Sequence, residues 1–253
     1  QELLPAFRDE RVTDADADGL VVSMDGSVES MVAAVMAVEA VGRDRVVGLV
    51  MPGRLSDEAA ARDAEAVASV LGIETHRLQL QPLVRSFQSV IGKTGESADD
   101  VVAMGNALER FRMACAYYVA NTRNRLVVGS VNRTDRLLGS VAKYGRNGVD
   151  VSLLGDVYRT EVRALAADLD IPEEIRERAR RQPQYAGPSD ARELGLAPRT
   201  LDSLLRLAID ERHDSQEVAD RLGIDVETIE RVKRWCAKTR HKRHQPPKPS
   251  MST

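Results

Sequence analysis

Cysteine is nearly absent: Cys115 and Cys236 are the only two in 253 residues, lie far apart, and form no CxxC pair. This excludes a disulfide scaffold and a cysteine zinc site, and it fits a reducing compartment. No apolar run approaches the roughly 20 residues that cross a bilayer. The acidic stretch with Asp14, Asp16 and Asp18 is unlike a signal peptide. A soluble, cytoplasmic protein with no membrane partner is expected. The first residue is Gln1 rather than methionine, which suggests a trimmed or renumbered start. Charge of one sign does not dominate either: 36 Lys+Arg against 39 Asp+Glu leave a net charge of −3. That balance argues against a surface built throughout to hold nucleic acid. Internal repeats and low-complexity linkers are missing, while 43% apolar residues suffice for a full core. One domain over residues 1–253 is expected, with a helical C-terminal part over about 198–240 and a flexible tail over 241–253.

Several familiar motifs are also missing. Gly92-Lys93-Thr94 resembles the end of a Walker A loop, but Phe87 stands where that loop needs its first glycine. No G-x-G-x-x-G, H-E-x-x-H or nucleophile elbow is present, and His76, His213, His241 and His244 show no zinc spacing.

What the chain does contain is alternation. β-Branched runs at Leu20–Ser23, Val46–Val50, Thr75–Leu80 and Leu126–Val128 read as strands. Between and after them, Ser30–Val41, Asp57–Leu71, Val101–Asn121 and Tyr158–Leu169 carry helical period, another helix starts at Pro172, and Leu201–Thr239 is helical. The fold class is therefore α/β, a parallel sheet flanked by crossover helices. Gly and Asn cluster between Tyr144 and Asp150 as a loop, and Pro183, Gly187 and Pro188 mark a long loop over 181–198 of the kind that covers a site.

Two segments carry local functional suggestions. In SMDGSVES, Ser23 to Ser30, a strand turns into a helix, so backbone N–H groups and the helix dipole face an anion, with phosphate the natural guest. An ordinary turn with Ser27 as N-cap is an equal reading. Residues 215–235 resemble a helix-turn-helix around Gly223, with Thr228 and Arg231 on the second helix and a basic stretch after Glu230. Asp225, Glu227 and Glu230 on that helix would repel a duplex, so structural packing is favoured over DNA binding.

Read together, the pieces resemble the ammonia-dependent NAD synthetases, which belong to the ATP pyrophosphatases with an S-G-G-x-D-S loop. DGSVES at Asp25 to Ser30 aligns with that loop, and GNALERFRMACAYY is similar to the family's G-N-x-x-x-R-x-R helix at Gly105, Asn106, Arg110, Arg112 and Tyr117. GSVNRTD matches G-T-x-N-x-x-E at Gly129, Ser130, Asn132 and Asp135, while Lys143, Tyr144, Gly145 and Asp150 keep K-Y-G-D-G-G-x-D. VYRTEV parallels Y-K-T-Q-V, SDARELG parallels T-D-E-x-E-L-G, and His241, Lys242 and Arg243 reproduce the family's H-K-R.

The resemblance implies a Rossmann-like three-layer fold of the adenine nucleotide alpha hydrolase kind. It also implies that ATP adenylates the nicotinate carboxylate of deamido-NAD and that ammonia displaces AMP, in a homodimer using Mg²⁺. By position, Asp25, Gly26, Ser27, Ser30 and Ser130 would surround the phosphates, and Glu29 and Asp135 would hold Mg²⁺. Arg159, where the family has lysine, would contact phosphate, and Arg110, Tyr117, Lys143, His241 and Lys242 would contact deamido-NAD or ATP; Arg159 and Lys143 are the catalytic candidates.

The departures fall on that chemistry. Asp25 replaces the loop's first serine and Ser27 its second glycine, where a positive φ would strain the turn. Glu29 and Asp135 exchange the family's aspartate and glutamate, Arg146 and Ala191 replace acids, and Ala142 replaces a threonine. An Asp25 carboxylate about 5 Å from a phosphate charge, at an effective dielectric of about 20, would cost about 3 kcal/mol, roughly a hundredfold in ATP affinity. Two readings therefore stand side by side. One is a working divergent synthetase; the other is a paralogue that binds nucleotide without making NAD or adenylates another carboxylate. Both require a bend at 25–30 that faces Asp135 and Arg159.

Overall fold

The computed structural model describes residues 12, 14–53, 58–91, 98–181 and 194–249. Five parallel strands form its sheet: β1 (Gly19–Ser23), β2 (Val46–Val50), β3 (Glu74–Arg77), β4 (Arg125–Gly129) and β5 (Val151–Ser152), in the order β3-β2-β1-β4-β5. Val21, Val47, Leu49 and Val127 point to one face, and Leu20, Val22, Val46, Val50 and Val128 to the other. Burial of both faces explains why β1 and β2 read as unbroken apolar runs.

One face is covered by α1 (Val28–Val41), α2 (Glu58–Leu71), α6 (Arg159–Asp168) and α7 (Glu173–Arg181), through Met31, Ala34, Ala37, Ala64, Val162 and Ala166. The other takes α4 (Ala98–Thr122), through Leu108, Met113, Ala116 and Ala120. The small side chains of α1 let that helix lie close to the sheet. A helix α3 (Gln81–Ile91) precedes α4, and α5 (Arg133–Leu138) follows β4. Beyond the sheet, α8 (Pro198–Leu205), α9 (Ser215–Leu222) and α10 (Val226–Lys238) share a core of Leu201, Leu204, Leu205, Val218, Ile229 and Val232.

From β1 the chain moves outward to β2 and β3, then returns to place β4 on the other side of β1. The direction of winding reverses at that point. The crevice beyond the carboxyl ends of β1 and β4 is where open α/β sheets bind ligands. Both the 24–30 bend and the 129–135 segment emerge there.

Some expected boundaries shift for physical reasons. Helix α1 starts at Val28, not Ser30, because the Ser27 hydroxyl caps it by accepting the Ser30 N–H at 3.0 Å. Strand β3 ends at Arg77, although the Leu78 and Leu80 amides still donate to Val50 and Pro52 carbonyls; Pro52 has no N–H with which to return the pairing. The helical C-terminal part is broken at Asp214 and Asp225, whose side chains cap α9 and α10, and at Gly223 with φ 65°, where the sequence places the turn between two short helices. The helix-turn-helix-like pair buries Val218, Ala219, Ile229 and Val232, and Trp235 Nε1 donates to the Leu138 carbonyl at 2.9 Å, so its apolar face is used in packing. The loop expected over 181–198, with Pro183, Gly187, Pro188 and Ala191, falls largely outside the described residues. So do Gly92-Lys93-Thr94 and the end of the tail.

Candidate active site

The bend after β1 begins with the Met24 amide donating to the Leu49 carbonyl at 2.8 Å. Gly26 then takes φ +82°, and a Cβ there would meet the Ala60 carbonyl oxygen at 2.5 Å, so only glycine fits. Ser27 itself has φ −76°, so the strain expected at that serine does not arise; its hydroxyl serves instead as the cap of α1. The Ser27 N–H donates to Asp25 Oδ1 at 2.9 Å, and the Ser30 hydroxyl donates to the Ser27 carbonyl at 3.0 Å. An amide that could hold an anion is thus held by the bend's own carboxylate.

Across the crevice, Asn132 is fully buried and caps α5, its Oδ1 accepting the Asp135 N–H at 2.8 Å. Its Nδ2 donates to Asp135 Oδ2 at 2.8 Å and to Glu29 Oε1 at 3.1 Å. One amide therefore holds two carboxylates from opposite walls toward each other. Burial, followed by the charge of Asp135, pushes the Glu29 carboxyl above its ordinary range. Arg159, the first residue of α6, sets Nη2 2.5 Å from Asp135 Oδ1. The bend, Glu29, Asp135 and Arg159 are brought together as expected, and Ser130 is buried just after the end of β4.

The remaining charges were not all foreseen. Arg146, on the turn before β5, sets Nη1 4.0 Å from Asp25 Oδ2 and Nε 3.0 Å from Glu109 Oε2. Glu109 also receives Arg112 Nη1 at 2.9 Å, while Arg112 Nε donates to the Met51 carbonyl at 3.2 Å. Burial alone would raise the Asp25 carboxyl, yet Arg146 and the Ser27 hydrogen bonds outweigh it and hold it below its ordinary value. Burial likewise opposes the charge on Arg146, and Glu109, Asp25, Asp135 and Glu29 together keep its guanidinium charged. The departures at positions 25 and 146 answer each other. Asp25 is therefore not the bare carboxylate for which a repulsion of about 3 kcal/mol was expected.

Other candidates gather beside this cleft. Lys143 and Lys242 line a cavity of about 440 Å³ with Val131, Tyr144, Asp150 and Ser152. Lys143 Nζ lies 5.1 Å from the Tyr144 ring centre, and Lys242 Nζ donates to the Gly139 carbonyl at 2.7 Å. Arg110 Nε donates to the Lys143 carbonyl at 3.1 Å, and the Tyr117 hydroxyl donates to Asp150 Oδ1 at 3.1 Å, so both touch lining residues without lining the cavity themselves. Burial and then Asp150 push the Tyr117 hydroxyl up to about 12. His241 stands apart from Lys242: it is exposed, with Nδ1 3.1 Å from the Lys238 carbonyl.

A buried support lies behind the cleft. Asp202 on α8 accepts the Thr134 hydroxyl at 2.6 Å, the Thr160 N–H at 2.9 Å and the Thr160 hydroxyl at 2.7 Å. Thr134 Oγ1 in turn accepts the Arg159 N–H at 3.0 Å. This network fixes the starts of α5 and α6, which carry Asp135 and Arg159. Nothing in the local sequence distinguishes Asp202 from any other helical aspartate.

The family profile described as NAD synthase matches residues 2–246. An NH(3)-dependent NAD(+) synthetase from Halobacterium salinarum is 34% identical over 249 residues, covering 98% of this chain and 92% of that protein. One from Methanosarcina acetivorans is 36% identical over 238 residues, covering 94% of this chain and 92% of that protein. Among solved structures, an NMN synthetase from Francisella tularensis superposes with TM-score 0.79 at 25% identity, covering 99% of this chain and 97% of the other. An NH3-dependent NAD synthetase from Campylobacter jejuni gives 0.80 at 23% identity, covering 98% and 96%, and shares the fold.

Proposed function

The chain belongs to the NAD synthase family, and from that premise we propose that the cleft between the 24–30 bend and Asn132 is where it amidates deamido-NAD. The reaction is ATP-dependent, uses ammonia, and forms a carbon–nitrogen bond. The observation that carries the assignment to this cleft is the Asn132 amide, which turns Glu29 and Asp135 toward each other within reach of Arg159.

A carboxylate oxygen of deamido-NAD attacks the α-phosphorus of ATP, and the α–β bond breaks to release pyrophosphate. Ammonia then attacks the acyl carbon of the adenylate, AMP leaves, and the surplus proton passes to solvent. Charge gathers on pyrophosphate in the first step. The N-terminal end of the α1 dipole and the guanidinium of Arg159 are placed to receive it. Lys143 and Lys242 offer cations to the second substrate from their shared cavity, beside Tyr144 and Asp150.

Glu29 and Asp135 suit Mg²⁺, since both are carboxylates and Asn132 already holds them in place. Among the described residues no group of three or more ligating side chains exists, so Glu29 and Asp135 would hold the ion only together with groups the substrate brings. The ion, when bound, neutralises phosphate charge as the α–β bond breaks.

A second copy of the chain fits α3. That helix has an apolar side with Leu83, Phe87, Val90 and Ile91 but buries no residue, and Val90 is 82% exposed. With Val101 and Tyr118 of α4, also exposed, it offers an apolar surface suited to a homodimer. No helix among the described residues is long and apolar enough to cross a membrane. Both cysteines are free thiols, which suits the reducing cytoplasm.

The test is purified protein with deamido-NAD, ATP, Mg²⁺ and ammonium. NAD and AMP should appear in equal amounts. No product above blank, with no rise in melting temperature on adding ATP, contradicts the assignment.

A further inference from the structure

We propose that Arg146 is a phosphate-binding residue of this site and that Asp25 is its place-holder, yielding both Arg146 and the Ser27 N–H to a polyphosphate oxygen when ATP or pyrophosphate binds. The inference rests on the cleft reading above and adds a residue to it.

Four observations support it. The Arg146 side chain is only 10% exposed, yet it stands among Asp25, Glu29, Glu109 and Asp135 and stays charged. Its Nε lies 3.0 Å from Glu109 Oε2 but off hydrogen-bond geometry, so both atoms are buried without a hydrogen-bond partner. The contact from Nη1 to Asp25 at 4.0 Å is likewise an ion contact and not a hydrogen bond. Finally, Asp25 occupies the Ser27 N–H at the entry of a 14-residue helix, a place whose dipole favours an anion of any kind.

A buried guanidinium that keeps its charge while leaving a donor unsatisfied is poorly used as a structural counter-ion. A phosphate oxygen entering from the cleft would accept both the Arg146 fork and the Ser27 amide, and planar guanidinium suits such double contact. The Asp25 side chain is 20% exposed, so solvent already reaches the carboxylate that an incoming phosphate would displace. Its service in the unliganded protein is to keep Arg146 and the bend neutralised.

The test is calorimetric titration of pyrophosphate, with and without Mg²⁺, onto wild type, Asp25→Ser and Arg146→Gln, with a thermal melt of each. A lost charge-assisted contact corresponds to roughly a tenfold to hundredfold change in affinity. Arg146→Gln should weaken pyrophosphate binding at least tenfold, Arg146→Lys should recover part of it, and Asp25→Ser should tighten binding about tenfold. A merely structural pair predicts lower melting temperatures with dissociation constants unchanged, and that result overturns the proposal. If Arg146→Gln does not fold, Asp25→Ser decides alone, with unchanged or weaker binding as the contrary result. Wild type that binds pyrophosphate while the variants match it refutes only the role of Arg146. Wild type that binds none overturns this proposal and the cleft assignment together.

Discussion

Asp202 stands behind the cleft, bonded to Thr134 of one wall, and its replacement should be among the most damaging in the chain. Its carboxylate is 6% exposed and accepts three hydrogen bonds, from the Thr134 hydroxyl and from the N–H and hydroxyl of Thr160. Asp202→Ala leaves all three donors without an acceptor, at about 1–3 kcal/mol each; relief of the carboxylate's own desolvation offsets part, leaving about 3–5 kcal/mol. For a chain of this size 1 kcal/mol corresponds to about 2–4 °C, so melting should fall by about 6–20 °C. The catalytic consequence comes through Thr134, which then no longer holds the Arg159 amide in one orientation. NAD formation per folded molecule should drop by roughly tenfold or more, since small misplacements of positioned groups are costly. Asp202→Asn keeps the volume but turns an NH₂ toward one of the donors, and should cost about 1–3 kcal/mol. Urea unfolding followed by circular dichroism, with steady-state rates on the same samples, measures both effects. An alanine variant within about 1 kcal/mol of wild type, with its rate intact, would refute the reasoning.

Other outcomes follow from single contacts. Gly26→Ala puts a Cβ 2.5 Å from the Ala60 oxygen at a φ of +82°; about 1–2 kcal/mol of backbone strain and about 1–3 of overpacking should appear in denaturant melts, with ATP protection lost. The Glu29 carboxyl is raised above 4.5 in the folded protein by burial and Asp135. Between its unfolded and folded pKa the folded state holds more protons, so stability falls as pH rises through that window. Glu29→Gln should therefore raise the melting temperature of the unliganded protein near neutral pH, with the gain shrinking toward acid pH while the Mg²⁺ response is lost; a gain that grows in acid contradicts this. Paired Leu83→Glu and Val90→Glu changes should convert a dimer to a monomer in light scattering, whereas an unchanged mass would remove α3 from the interface.

How much of this was legible varied with range along the chain. Strands β1, β2 and β4 announced themselves because burial on both faces leaves unbroken apolar runs. Helix α3 did not, because it buries no residue completely, Val84 only partly covering the core, and Pro82 stands at its start. Helix α5, with six residues, is too short to show a period. In the site, Glu29, Asp135 and Arg159 were found by their resemblance to a motif, and the structure brings them together. Asp25 was correctly seen as a charge in the bend, but its partner lies far along the chain, so its effect was taken with the wrong surroundings. Arg146 read as a missing acid, and only the crevice between β1 and β4 shows what it faces. Asn132 was visible as a matching letter, and its double donation required coordinates.

The most direct measurement of the central claim is the fate of a carboxylate oxygen. Deamido-NAD labelled with heavy oxygen in its nicotinate carboxylate, turned over with ATP, Mg²⁺ and ammonium, should yield NAD and an AMP whose phosphate carries one of the labelled oxygens. NAD accompanied by unlabelled AMP, or by ADP and phosphate in place of AMP, would contradict adenylation in this cleft.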